Sequence, residues 1–207
     1  GLLAVGGNLS PSTLMSAYRQ GIFPWYQDDD PILWWSPASR CVLIPEQLHI
    51  SRSLRRCLRQ GQFRVSTDEA FAQVVEACAA PRTDDTGTWI IDEMIEAYCQ
   101  LHQVGYAHSV EVWAGDKLAG GIYGVAVGSV FCGESMFSGR TNGSKVAMAY
   151  LCQWLIGQKF NLLDCQINNP HLEQMGAQSM PREQYLNWLA AHRDSGLHWP
   201  EARPVSW

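Results

Sequence analysis

Charge is scarce in this chain: 17% of its 207 residues are Asp, Glu, Lys or Arg, against about 25% in an average soluble domain. Long apolar runs are missing too. None approaches the roughly 20 residues a membrane span needs, so no membrane partner is expected. The opening Gly1-Leu2-Leu3-Ala4-Val5-Gly6-Gly7 has no basic lead and no long apolar centre, so it is not read as a signal peptide. Because the first residue is not Met, the natural N-terminus is expected to have been trimmed. Seven cysteines, at 41, 57, 78, 99, 132, 152 and 165, form no CxxC pair and no Cys/His zinc spacing. Their odd number and scatter point to reduced, mostly buried thiols and a cytoplasmic location. The six histidines, at 49, 102, 108, 171, 192 and 198, show no metal spacing either, so no metal is expected. Internal repeats and low-complexity segments are absent. Gly139–Lys145 lacks the terminal Gly-Lys-Ser/Thr order of a phosphate-binding P-loop, and Ser135 lacks the Gly-x-Ser-x-Gly context of a hydrolase nucleophile.

What is present is apolar surface, 46% of residues, enough to exclude disorder, and nine tryptophans. Large aromatics belong either in a core or on a platform for flat ligands. The length allows one large domain, or one with a small appendage. The net charge of −5 argues against a basic coat but leaves room for a local basic patch.

Residues 1–38 read as a small aromatic-rich domain. Ser10-Pro11-Ser12 starts a short helix through Leu14, Met15 and Tyr18. Aromatics flanked by prolines follow at Phe23-Pro24-Trp25 and Trp34-Trp35-Ser36-Pro37, which no long helix can hold. They suit either an aromatic-cored cap or a stacking wall. Residues 39–207 read as the larger domain. After a strand at Cys41–Pro45, a helix carries Arg52, Arg55, Arg56 and Arg59 on one face, since residues advance by about 100° each. With no acid among them, these arginines suit either a solvated face or a phosphate backbone. A strand at Phe63–Ser66, a helix capped by Asp68 or Thr67, a polar loop at Pro81–Gly87 and a helix at Ile90–Val104 come next. Three strands then form a meander with turns at Gly115-Asp116 and Gly128, followed by a helix from Gly143, a strand at 161–167 and helices from His171 and Pro181. The fold class is α+β, and this order resembles the acetyltransferase-like (GNAT) fold.

The strand at Leu162–Ile167 carries the most chemistry. Strict alternation puts Asp164 and Gln166 on one face. A bare polar group there would cost roughly 2–7 kcal/mol, so the pair must be hydrogen-bonded. It serves either to satisfy a loop or to orient and deprotonate an amine, with Gln166 as relay, and the functional role is favoured. Glu134, after Gly133 at a strand end, suits a cationic ligand but is weak alone.

Taken together, several ordered motifs resemble leucyl/phenylalanyl-tRNA–protein transferases. They are Gly21-Ile22-Phe23-Pro24-Trp25, Trp34-Trp35-Ser36-Pro37, His49-Ile50-Ser51-Arg52-Ser53, Gly87-Thr88-Trp89-Ile90 and Ala107-His108-Ser109-Val110-Glu111-Val112-Trp113. Gly120-Gly121-Ile122-Tyr123-Gly124, Gly133-Glu134-Ser135-Met136-Phe137-Ser138 and Leu163-Asp164-Cys165-Gln166 continue the match. Gly143 departs from it, since the family often has Ala there. The resemblance implies a small N-terminal domain, a GNAT-like catalytic domain and transfer of Leu or Phe, with Met less good. The donors are Leu-tRNA and Phe-tRNA, and the acceptors are proteins beginning with Arg or Lys, made into bacterial N-degrons by a monomeric enzyme. No cofactor is implied, because the aminoacyl ester is already activated. Asp164, Gln166 and Glu134 are the expected catalytic residues. Phe131, Met136, Leu163 and Ile122 would hold the aminoacyl side chain, and Trp25 and Trp89 the adenosine end. Arg52, Arg55, Arg56 and Arg59 would hold the acceptor stem. The rivals are an acetyl-CoA enzyme, whose pyrophosphate loop is absent, a non-catalytic RNA-binding adaptor and a peptidoglycan-branching transferase.

Overall fold

The computed structural model describes residues 1–80 and 90–201, and the backbone of 203–205. Two sheets organise it. Strands β1 (Leu2–Val5), β2 (Phe23–Pro24) and β3 (Leu33–Trp35) form a small antiparallel sheet of order β1-β3-β2. The Pro-interrupted aromatic segments thus contribute two paired strands, Phe23–Pro24 and Leu33–Trp35. Helix α1 (Pro11–Tyr18) joins β1 to β2, with Ser10 Oγ accepting from Thr13 N at 3.3 Å and Pro11 where no amide is needed.

The main sheet has eight strands: β4 (Ser39–Leu43), β5 (Arg64–Thr67), β6 (Ala107–Ala114), β7 (Lys117–Val127), β8 (Val130–Ser138), β9 (Leu162–Gln166), β10 (Gln178–Pro181) and β11 (Arg203–Val205). Their order is β10-β4-β9-β8-β7-β6-β5-β11. Among the described residues, only β8 and β9 pair in parallel. That pair needs a crossover, and α5 (Gly143–Gly157) supplies it, mostly apolar because ten of its residues are buried, with Gln153 and Ile156 on its exposed side.

Helices cover both faces of the sheet. On one side α1, α3 (Phe71–Ala79), α4 (Asp92–Gln103) and α7 (Arg182–His192) pack around Leu14, Val74, Met94, Tyr123 and Leu189. On the other, α2 (Arg52–Arg59), α5 and α6 (Pro170–Gln174) pack around Leu54, Ile122, Leu151 and Leu163. The N-terminal unit shares the first core, since Leu14, Tyr18 and Phe23 belong to it. All seven cysteines are free thiols. Among the described residues, no helix is long and apolar enough to cross a membrane.

One expected cap is overturned. Helix α3 begins at Ala70 without a side-chain cap. Asp68 instead adopts φ 56° and spends its carboxylate on Ser109 N at 2.8 Å and His108 Nδ1 at 2.8 Å. The expected loop at Pro81–Gly87 lies outside the described residues.

Gly143 explains its own departure from the family pattern. A Cβ there would lie 2.0 Å from the Ala119 carbonyl oxygen, and one at Gly120 would lie 2.4 Å from Gly143 C. Both neighbours are backbone and cannot yield cheaply. Gly143→Ala is therefore expected to destabilise the chain by about 1–3 kcal/mol through overpacking of α5 on β7. Thermal melts check this, and an unchanged Tm would contradict it.

Candidate active site

Two β-bulges build the site. Strands β8 and β9 are in register at Val130↔Leu162, Phe131↔Leu163 and Cys132↔Asp164, and then part. Where they part, each carries one residue that its antiparallel neighbour skips. On β8, Gly133 faces Gly124 and Ser135 faces Tyr123, so Glu134 is the extra residue. On β9, Asp164 faces Val42 and Gln166 faces Cys41, so Cys165 is the extra residue. Bulges re-aim side chains, and these open a cavity of about 1170 Å³ between the diverging strands. Its floor is apolar: Ile122, Met136, Met148, Leu163 and Leu172. Its polar lining includes Glu134, Gln166, Ser144, Asn169 and His171, and Trp25 stands at its rim.

The bulge separates Asp164 from Gln166. Strict alternation predicts one shared face, yet Gln166 lines the cavity and Asp164 does not. Gln166 reaches it through a left-handed backbone, φ 61°. A non-glycine residue held there is strained, a cost of order 1–3 kcal/mol that clusters at functional sites.

The two carboxylates have different settings. Asp164 is fully buried and its acceptor positions are full. Oδ1 accepts from Arg40 Nε at 2.8 Å and Gln166 N at 2.9 Å, and Oδ2 from Arg40 Nη2 at 2.7 Å and Tyr185 OH at 2.7 Å. Glu134 keeps an opening. Among the described residues Oε1 is met by Tyr18 OH at 2.6 Å and Gln166 Nε2 at 2.7 Å, and Oε2 by Tyr98 OH alone, at 2.9 Å; the two hydroxyls also lie 2.5 Å from one another, so their two protons serve three contacts. A carboxylate offers about four acceptor positions, so one remains on Oε2. Burial pushes the Glu134 carboxyl up to about 7, against the three donors that pull it down. Burial first, and then the nearby carboxylates, hold Tyr18, Tyr98 and Tyr185 well above the ordinary phenol range, so they stay donors.

A family model described as leucyl/phenylalanyl-tRNA protein transferase matches residues 42–190, and the model of that family's N-terminal domain matches residues 7–38. The chain belongs to the leucyl/phenylalanyl-tRNA protein transferase family. It is therefore an enzyme, an aminoacyltransferase. It is similar to the leucyl/phenylalanyl-tRNA–protein transferase of Cellvibrio japonicus, at 52% identity over 99% of this chain and 88% of that protein. The Idiomarina loihiensis transferase is 55% identical over 90% of this chain and 79% of its own length. Among solved structures, L-PGS from Bacillus licheniformis aligns with a TM-score of 0.43 and 10% identity, over 72% of this chain and 48% of that one.

In the transferase, the other expected site residues fall as follows. Trp25 is 42% exposed and meets Trp35 edge-on, with ring centroids 6.0 Å apart. Phe131 is buried and does not line the cavity. Its place in the strand turns it toward Trp199, 5.2 Å away between centroids, so it backs the floor rather than forming it. Trp89 lies outside the described residues. Arg52, Arg55, Arg56 and Arg59 are exposed on α2 and line a cleft of about 520 Å³ with Gln60, apart from the cavity. Among the described residues, no ion pair involves them.

Sequence reasoning missed Tyr18, Arg40, Tyr98 and Tyr185, which touch the two carboxylates, and Met148 and Leu172 in the floor. The one usable signal was Arg40, a lone charge at the head of an apolar strand that needs a buried acid. The sequence also showed no metal spacing, yet Asp68, His102 and His108 converge within 4.8 Å. Their groups already have protein partners. His108 Nδ1 meets Asp68, and His102 Nδ1 meets the Ala107 carbonyl oxygen at 2.7 Å. Phe71 and Trp199 stack on the two rings, making a clasp between α4 and β6.

Proposed function

We propose that the enzyme moves leucine or phenylalanine, and methionine less well, from aminoacyl-tRNA to the α-amine of proteins beginning with Arg or Lys, creating a bacterial N-degron. The observation that carries this reading is the cavity itself, an apolar floor beside a polar lining that includes the open carboxylate of Glu134 and the amide of Gln166. Ile122, Met136, Leu163, Met148 and Leu172 suit an unbranched-Cβ apolar side chain, and thioethers adapt to both Leu and Phe shapes. Trp25 at the rim suits the terminal adenine by stacking. The exposed arginines of α2 suit the phosphates of the acceptor stem.

The chemistry needs no activation step, because the ester is already activated. The amine nitrogen attacks the ester carbonyl carbon, a C–N bond forms, the bond to the tRNA 3′-oxygen breaks and that oxygen takes a proton. An α-amine, with pKa about 8, needs positioning more than a strong base. Glu134 Oε2 has the free acceptor position to receive its N–H. Gln166 fixes that carboxylate, and Asp164 orients Gln166 through its backbone amide rather than through a side-chain relay.

The same reading has two domains, 1–38 and 39–207, and a GNAT-like catalytic domain, on the order strand, helix, helix, meander, helix, strand, helix. It also has a monomer acting in the cytoplasm. Incubation with radiolabelled Leu-tRNA tests it. Label should enter a peptide beginning with Arg and not one beginning with Asp, and equal labelling of both, or of neither, contradicts it. Trp25→Ala is expected to weaken transfer from a minimal aminoacyl-adenosine as much as from whole tRNA. Loss confined to whole tRNA would remove Trp25 from the adenine site.

A further inference from the structure

Arg40 holds both sides of the cavity without lining it. Its side chain is 1% exposed, between the rings of Phe23 and Tyr185, whose centroids lie 4.8 and 4.6 Å from the guanidinium carbon. Nε and Nη2 fork onto Asp164, and Nη1 donates to the Gly21 carbonyl oxygen at 3.1 Å. Gly21 begins the segment that carries Phe23, Pro24 and Trp25 to the cavity rim. Asp164 in turn accepts from Gln166 N, inside the strained turn that aims the Gln166 amide at Glu134.

We propose that Arg40 is a positioning residue for the transfer reaction: with Tyr185 it fills the acceptor positions of Asp164, fixes the turn at Gln166, and leaves Glu134 as the one carboxylate open to the incoming amine. The inference rests on the reaction proposed above. It gives Asp164 the work of a fixed anion. Burial acts against the Arg40 charge, but the Asp164 carboxylate more than offsets it and holds the guanidinium above its ordinary range. Planarity matters as much as charge. A fork that binds two carboxylate oxygens and a carbonyl at once cannot be copied by the point charge of Lys.

The test compares wild type, Arg40→Lys and the double variant Arg40→Met/Asp164→Asn, with Leu-tRNA and an Arg-initiated peptide. Rates are corrected for the folded fraction measured by circular dichroism. Arg40→Lys should lower kcat about 10²-fold, the scale of a displacement of about 1 Å at a reacting centre, with KM for Leu-tRNA within about twofold. The double variant removes both buried charges, so it tests positioning without an uncompensated ion. It should melt near the wild-type Tm and still have kcat lowered about 10²-fold. Wild-type kcat in either variant, once corrected for folding, overturns the assignment of Arg40 while leaving the reaction intact. Absence of transfer by the wild-type chain overturns both.

Discussion

Glu134→Gln is expected to slow transfer while making the chain more heat-stable at alkaline pH. The carboxylate supplies the free acceptor position that receives the amine N–H, and Gln offers a weaker, uncharged oxygen. Removing one general base or orienting group typically costs 10²–10⁴-fold, and here kcat should fall about 10²–10³-fold. The pH dependence follows from burial. With its carboxyl pushed up to about 7, Glu134 is protonated below that value in the free enzyme. The amine, with pKa about 8, makes both rates fall about tenfold per pH unit below 8, and the wild-type rate should fall a further tenfold per unit on the acid side of 7, a second limb that the variant should lack. Stability runs the other way. Between the ordinary carboxylate range and about 7 the folded chain binds a proton that the unfolded chain has released, so stability decreases as pH rises through this window. The full difference amounts to about 3 kcal/mol above pH 8. Gln does not carry that cost, so Tm at pH 8 should be higher in the variant, by up to roughly 10 °C for a chain of this size. Melts at pH 5.5 and pH 8 check the sign. A variant with unchanged kcat, or one less stable than wild type at pH 8, contradicts this account of Glu134.

Replacing Arg55, Arg56 and Arg59 by Gln should have the largest effect on tRNA affinity. These side chains are exposed and without ion pairs among the described residues, so their loss should leave the fold intact. Each phosphate neutralised on a duplex contributes about 0.9 to the slope of log affinity against log salt, so three lost contacts lower the slope by about 3. At low salt the loss of affinity should reach roughly 10²-fold or more. Because α2 contributes nothing to the cavity, kcat at saturating tRNA and transfer from a minimal aminoacyl-adenosine should stay within about twofold. Filter binding across a salt series measures the slope. An unchanged slope removes α2 from the RNA footprint.

The elements of this chain were legible where their signals are local. The cap at Ser10-Pro11, the arginine face of α2, the meander turns at Gly115 and Gly128 and the apolar run of β9 all follow from residues within a few positions of one another. The edge strands β1 and β10 were not seen. Leu2–Val5 is exposed along its length, and Gln178–Pro181 has no alternation, so neither shows the pattern of a half-buried strand. Asp164 and Gln166 were legible as a polar pair on an apolar strand and Glu134, weakly, as an acid after Gly133 at a strand end, while their arrangement was hidden for a physical reason. Alternation holds only in a regular strand, and the bulges at Glu134 and Cys165 break it at the two positions that matter. The groups that set their chemistry lie far off in sequence. Tyr18 and Tyr98 stand 116 and 36 residues from Glu134, and Arg40 stands 124 from Asp164. No window along the chain brings such partners together.

The central claim is that an apolar floor grips the aminoacyl group while Glu134 and Gln166 meet the nitrogen that attacks it. A crystal structure of this chain with a stable 3′-amide analogue of phenylalanyl-adenosine tests that most directly. The account predicts the phenyl ring on Ile122, Met136 and Leu163, the adenine against Trp25, and the carbonyl carbon about 3–3.5 Å from a nitrogen site within hydrogen-bond reach of Glu134 Oε2. An analogue seated elsewhere, or one whose carbonyl lies beyond reach of both Glu134 and Gln166, would contradict it.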